Sequence, residues 1–285
     1  MQPDTTIPTV PRTGYDISSL TLPITDEDRQ LFRGAEGASQ RRNFFMTLPI
    51  VVVVAGIFSF TFFPSLLESL GVTGSYVVPT VLLLWAGLVG IIMFGVYRLG
   101  LRRLDTLIRL RRLALANGMQ LIHDRKDPAY QGMIFDEGHS RMINEALLLP
   151  DGTEIGNYTY VTGSGKNRST HSYAYTRLPL QRALPHMVLD GKSNNIFGVL
   201  TNLPDTFDRH QTLSLEGDFD KHFTLYAPRE YERDALYVFT PDVMASLIDN
   251  GSGYDMETID KELYIFQSNR INLTDAAVLT LILQV

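Results

Sequence analysis

Two stretches of this chain carry no charged side chain: Asn43 to Leu67, 25 residues, and Ser69 to Tyr97, 29 residues, with Glu68 alone between them. A helix rises about 1.5 Å per residue, so roughly 20 apolar residues cross the ~30 Å hydrocarbon core of a bilayer. Phe44 to Phe63 and Tyr76 to Tyr97 therefore read as two transmembrane helices, the first carrying Ile50 to Val54 and the second Val81 to Leu84 and Ile91 to Phe94. An ordinary soluble globule is excluded. A cleaved signal peptide is the competing reading of the first run, but that run follows a polar stretch of 43 residues and lacks a small-residue cleavage site.

Charge orients the pair. The connection Pro64 to Ser75 has one Glu and no Lys or Arg, whereas Arg41 and Arg42 precede the first span and Arg98, Arg102, Arg103, Arg109, Arg111 and Arg112 follow the second. The positive-inside rule gives a hairpin with both ends on the cytoplasmic side. Those six arginines are expected to meet the lipid bilayer at its anionic head groups. Arg98 to Asn117 continues the second span as a basic helix, with Leu101, Leu104, Ile108 and Leu115 on an apolar stripe and Asn117-Gly118 as its stop. A rigid connector, an interfacial amphipathic helix and a stalk paired with a second copy all fit this segment.

Residues 1–43 are polar and proline-punctuated (Pro3, Pro8, Pro11, Pro23), so they are expected to be largely disordered. The exception is a short helix opened by Thr25 and the acids Asp26, Glu27 and Asp28. Residues 119–285 hold 14 basic and 23 acidic side chains, an acidic domain that is a poor partner for nucleic acid. They are long enough to bury a core of their own.

The pattern of this last part is α+β, β-rich and mostly antiparallel. Ile155 to Thr162 and Thr170 to Leu178 read as a hairpin around Gly163 to Ser169, with Tyr158 and Tyr160 facing Tyr173 and Tyr175 at alternate positions. Further strands are expected at 187–189, 212–217, 223–226 and 235–239. Thr240-Pro241-Asp242 opens a helix closed by Asn250-Gly251, a second hairpin turns at Asp260-Lys261, and a last helix begins at Thr274 with Leu273 and Val278 as a staple. That helix reaches Val285 in mid-pattern, which fits a packed terminus or a truncated sequence alike.

Chemistry-bearing motifs are few. Without cysteine there is no disulfide, thiolate nucleophile or Cys-ligated metal. Gly163-Ser-Gly-Lys-Asn167 fails as a phosphate loop, because Tyr160 stands where the first glycine belongs and Asn167 where Ser or Thr should hold magnesium. No cofactor motif occurs. Glu216, Asp218, Asp220 and His222 alternate with other residues, so on a strand they would share one side and offer oxygen and nitrogen ligands to a divalent metal. The plain alternative is a solvated acidic face. Asn157, Asn167 and Asn272 head glycosylation tripeptides that would be inert in the cytoplasm. Within the second span Ala86, Gly87 and Gly90 allow close helix approach, inside the hairpin or in a homo-oligomer.

Leu178 to Asp190, with Lys192 to Asn195, resembles a group of actinobacterial two-pass membrane proteins. Leu215 to Tyr226 and Ala235 to Met244 are similar to a broader bacterial membrane domain family of unknown function. The resemblance covers roughly residues 40–270 and implies a bacterial plasma membrane and a cytoplasmic domain, with no catalytic residue to carry over. The expected function is a membrane-anchored binding or scaffolding module for a protein or small-molecule ligand. Its contact surface would be the tyrosines 158, 160, 173 and 175, unless they form a cross-strand ladder in the core. The alternative is a membrane-bound metal-dependent hydrolase using the Glu216/Asp218/Asp220/His222 face. A channel built from the hairpins lacks ionisable residues within the spans.

Overall fold

A computed structural model of the 285-residue chain describes residues 14–33, 36–194 and 212–284. Residues 1–13, Asn195 and Val285, named above, lie outside the described residues. The chain divides into two compact units, residues 21–112 and residues 1–20 with 113–285.

The first unit contains three helices: α1 (Asp26–Arg33), α2 (Glu36–Ser69) and α3 (Val77–Ala116), the last ending just inside the second unit. In α1, Thr25 and Asp28 cap each other: the Asp28 N–H donates to Thr25 Oγ1 at 3.3 Å and the Thr25 N–H donates to Asp28 Oδ2 at 2.7 Å. This is the short helix expected there; the turn Ser18–Leu20 and the start of α2 at Glu36 are further structure in the segment expected to be largely disordered. Helices α2 and α3 are the two long apolar helices, and both candidate spans are lined with exposed Ile, Val, Leu and Phe, with 17% and 6% of their most apolar stretches buried. Such surfaces suit a hydrocarbon solvent. The helices are compatible with a hairpin. They meet where the Trp85 indole N–H donates to the Val52 carbonyl at 3.2 Å, beside Gly56, and Ala55, Ser59 and Val81 are buried.

The link is shorter than expected, since α2 runs through Pro64 to Ser69. Proline removes one backbone donor. That donor would serve Phe60 O; the neighbouring Thr61 and Ser65 hydroxyls donate instead to Ile57 O and Phe62 O. Helix α3 is unbroken from span to connector, and at about 60 Å it far exceeds the ~30 Å hydrocarbon core. It stops as expected at Asn117-Gly118: Gly118 has φ +65° and the Met119 N–H donates back to Ala114 O at 2.8 Å.

The second unit is an antiparallel sheet with helices. Its strands are β1 (Gln120–Lys126), β2 (His139–Leu148), β3 (Glu154–Thr162), β4 (Ser169–Gly191), β5 (Thr212–Leu213), β6 (Phe223–Tyr226) and β7 (Asp255–Ser268), in the order β1-β2-β3-β4-β6-β5 with β7 also paired to β4. The hairpin of β3 and β4 is in the expected register, Tyr158 opposite Tyr173. Gly156 allows β2 to approach, because a Cβ there would lie 2.4 Å from that of Ala146.

Strand β4 organises the sheet. Its first half pairs with β3 and its second with β6, while β7 follows both halves, from Ala174↔Gln267 to Leu189↔Met256. Register shifts fall between Pro179 and Met187, where Pro179 and Pro185 offer no N–H to the ladder. The segment around Asp260-Lys261 is accordingly no hairpin. Asp260 takes φ +50° and β7 continues past it, held by pairing with β4 on both sides of the irregularity.

Two hydrophobic clusters result. One gathers Phe135, Ile143 and the ring ladder of β3, β4 and β7; the other gathers Met187, Leu189, Phe219, Phe223, Leu225 and Phe239. Residues 235–239, expected as a strand, belong instead to helix α5 (Glu232–Val238) and its cap. Glu232 and Asp234 favour the positive end of a helix. Ala235 and Phe239 are buried while Tyr237 between them is exposed, a division that a helix makes and a strand, with all three on one face, does not. Helix α6 (Pro241–Asn250) opens as expected, Thr240 Oγ1 accepting from the Val243 N–H, and α7 (Ala276–Gln284) closes the described chain.

Candidate functional site

The acidic row is not a strand. Thr212–Leu213 ends the extended run, Gly217 turns the chain with φ +72°, and Phe219–His222 form one helical turn, α4. Alternation therefore does not bring Glu216, Asp218, Asp220 and His222 to one side. Asp220 is spent locally, accepting from the Ser214 hydroxyl and from the Leu215 N–H at 3.1 Å. Asp218 pairs with Lys221 at 2.7 Å, which holds its carboxyl below the ordinary value. Among the described residues no group of three or more His, Asp or Glu could hold a metal. The physical reason is that Phe219 and Phe223 are buried while Lys221 between them is exposed: on a strand all three would share one face, whereas a helical turn leaves Lys221 in water.

The tyrosines also change role. Tyr158, Tyr160, Tyr173 and Tyr175 are at most 5% exposed, so they form the core ladder and not a contact surface. Phe135, from the loop between β1 and β2, sits among Tyr130, Tyr158, Tyr175 and Tyr264 with ring centroids 4.7 to 5.4 Å away. Burial pushes all these phenols above their usual value, so they remain hydrogen-bond donors.

Two of them serve a buried carboxylate. Glu154, 1% exposed, accepts from the Tyr130 hydroxyl at 2.6 Å and from the Tyr175 hydroxyl, with Arg177 at 3.6 Å. Arg177 also pairs with Glu262 at 2.8 Å and lies over the Tyr130 ring. A second buried carboxylate, Glu257, accepts from the Met133 N–H at 2.8 Å and lies 2.7 Å from His186 Nε2. Together they fasten the loop carrying Tyr130 and Met133 to the sheet. Sequence reasoning missed both glutamates, because an acidic residue inside an alternating strand carries no mark of which face it occupies.

The surface offers a different candidate. Helix α5 packs Ala235 and Phe239 inward and turns Leu236 and Tyr237 outward, 56% and 76% exposed. Tyr231 and Val243 extend the exposed apolar surface on either side in sequence, and Arg229, Glu230, Glu232, Arg233 and Asp234 mix both signs of charge around it. An apolar aromatic centre with a polar rim is the composition of a protein–protein contact. The signal was available in the acidic start of α5, which marks a helix and hence an outward Tyr237.

Of the six arginines after the second span, Arg109 and Arg112 are engaged by the N-terminal segment. Arg112 Nη2 lies 2.5 Å from Asp28 Oδ2, and Arg109 Nη1 donates to Leu22 O at 3.4 Å. Arg98, Arg102, Arg103 and Arg111 are exposed.

No protein-family model, curated protein or solved structure matches this chain.

Proposed function

We propose that this chain is a membrane-anchored binding module, in which the α2–α3 hairpin holds an acidic α+β domain at the cytoplasmic face of a bacterial plasma membrane. The exposed Leu236–Tyr237 face of α5 carries the binding half of this reading. Its occupant is another protein: two basic and three acidic side chains between Arg229 and Tyr237 suit a polar rim better than an anionic bilayer. The exposed apolar helices and the arginine asymmetry support the anchoring half. The dispersed Glu216, Asp218, Asp220 and His222 give the hydrolase reading no comparable support.

A photo-crosslinking phenylalanine analogue at position 237 of the full chain, in the membranes of the producing cells, tests the binding surface. The expected result is one discrete protein adduct absent when the analogue replaces exposed Ser164. Lipid adducts alone, or equal adducts at both positions, would overturn it. Placement is tested by Ser164→Cys in a chain with no cysteine of its own. A membrane-impermeant maleimide should label it only after lysis.

A further inference from the structure

The helix that leaves the hairpin carries Arg98, Arg102, Asp105, Arg109 and Arg112 at successive spacings of four, three, four and three, so these five share one stripe. Arg103 and Arg111 fall on other faces. We infer that Arg98 and Arg102 form a binding site for the phosphate of an anionic phospholipid, while the chain's own N-terminal segment neutralises the distal half of the same stripe. This rests on the hairpin lying in a bilayer.

Distance along the helix separates the two halves. Measured from Tyr97, Arg98 and Arg102 stand about 1.5 and 7.5 Å beyond the span, whereas Arg109 and Arg112 stand about 18 and 22 Å beyond it. The polar layer on each side of the hydrocarbon is only about 5–8 Å deep. Only the first two can reach lipid phosphates. Helical side chains also lean toward the N-terminus, which here is toward the bilayer. Arg98 does so, its guanidinium lying 5.5 Å from the Phe94 ring centre one turn nearer the span. Two exposed guanidinium groups about 5–6 Å apart at the Cβ atoms can share one phosphodiester, a match of fork to oxygens that favours arginine.

Beyond the headgroups the chain supplies its own oxygens. Arg112 meets Asp28 and donates to Pro23 O at 3.3 Å, and Asp105 accepts from Arg29 Nε at 3.2 Å. Asp28 is held in place by the Thr25 cap, and that cap with Arg112 brings its carboxyl down to about 2, so it stays charged at any physiological pH. The arginines that lipid cannot reach are those with protein carboxylate and carbonyl partners, and the exposed ones on this stripe are those that lipid can reach.

The test uses native mass spectrometry of the full chain released from nanodiscs of phosphatidylcholine with one quarter phosphatidylglycerol. Wild type should retain phosphatidylglycerol in preference to phosphatidylcholine. At about 1 kcal/mol per arginine, R98Q/R102Q should lower that preference roughly 30-fold. R109Q/R112Q should leave it unchanged while speeding hydrogen exchange across residues 24–33. Near-ultraviolet circular dichroism of the tyrosine core checks that each variant is folded. Absence of any preference in wild type, equal loss in both variants, or full displacement of the lipid by inorganic phosphate would overturn the site. Extraction of the chain by alkaline carbonate would instead overturn the hairpin reading beneath it.

Discussion

Raising the pH should unfold the sheet through its tyrosines. Tyr158, Tyr160, Tyr173, Tyr175 and Tyr264 are at most 5% exposed, and burial pushes each phenol above its ordinary value. In the unfolded chain the same groups ionise near pH 10. The unfolded state then releases protons that the folded state keeps, so stability is fully present below about pH 10 and is lost as pH rises further. Each phenol that keeps its proton accounts for about 0.4 kcal/mol at pH 10 and about 1.4 kcal/mol at pH 11, so five set a ceiling of about 2 and about 7 kcal/mol. A domain of ordinary stability, about 5–15 kcal/mol, would therefore unfold between about pH 10.5 and 12. The assay is an alkaline titration of the full chain in non-ionic micelles, following tyrosinate absorbance and near-ultraviolet circular dichroism together. Five phenols should ionise in one step coincident with loss of the dichroism. Gradual ionisation from about pH 10 with the dichroism intact beyond about pH 12 would refute the reasoning.

Three further outcomes follow from the packing. Glu154→Ala strands the Tyr130 and Tyr175 hydroxyls, and at about 1.5–3 kcal/mol for each bond to a charged acceptor it should cost about 3–6 kcal/mol, seen as a fall of about 10–20 °C in Tm. Glu154→Gln keeps the shape and should cost less than half of that by the same calorimetry. Gly156→Ala places a methyl 2.4 Å from the Ala146 Cβ and 2.9 Å from Glu145 O, an overpacking worth about 1–3 kcal/mol that Ala146→Gly should relieve in part in urea titrations. His222→Ala should alter neither stability nor the absence of heat on titration with Mg²⁺, Mn²⁺ or Zn²⁺, and a metal-dependent loss in this variant would reinstate the ligand row.

The elements legible in the sequence were those whose signals are local. The two apolar helices, the Thr25 and Thr240 caps, the Asn117-Gly118 stop and the β3–β4 hairpin each depend on neighbours within a few residues. Three readings failed because a distant partner decided the outcome. Asp260-Lys261 looked like a turn until β4 paired on both sides of it, and residues 235–239 looked extended until the second cluster took Ala235 and Phe239 and left Tyr237 in water, which a strand does not allow. Glu216 to His222 likewise yielded its alternation to a turn that buries Phe219 and Phe223 and exposes Lys221. For the site, residue type alone suggested that four tyrosines sought a partner. They had one inside the fold, in Phe135 and Glu154.

Strand β4 has a temporal consequence. Its partners in β7 lie 93 residues downstream at Ala174↔Gln267 and 67 at Leu189↔Met256. At about 5–20 residues per second, a ribosome leaves that side of β4 uncovered for about 3 to 19 s. Every nascent copy thus spends seconds displaying a long hydrogen-bonding edge that a neighbouring polysome could template upon. Pro179 and Pro185, poor for the finished ladder, interrupt that edge near its middle, where stray pairing would otherwise propagate.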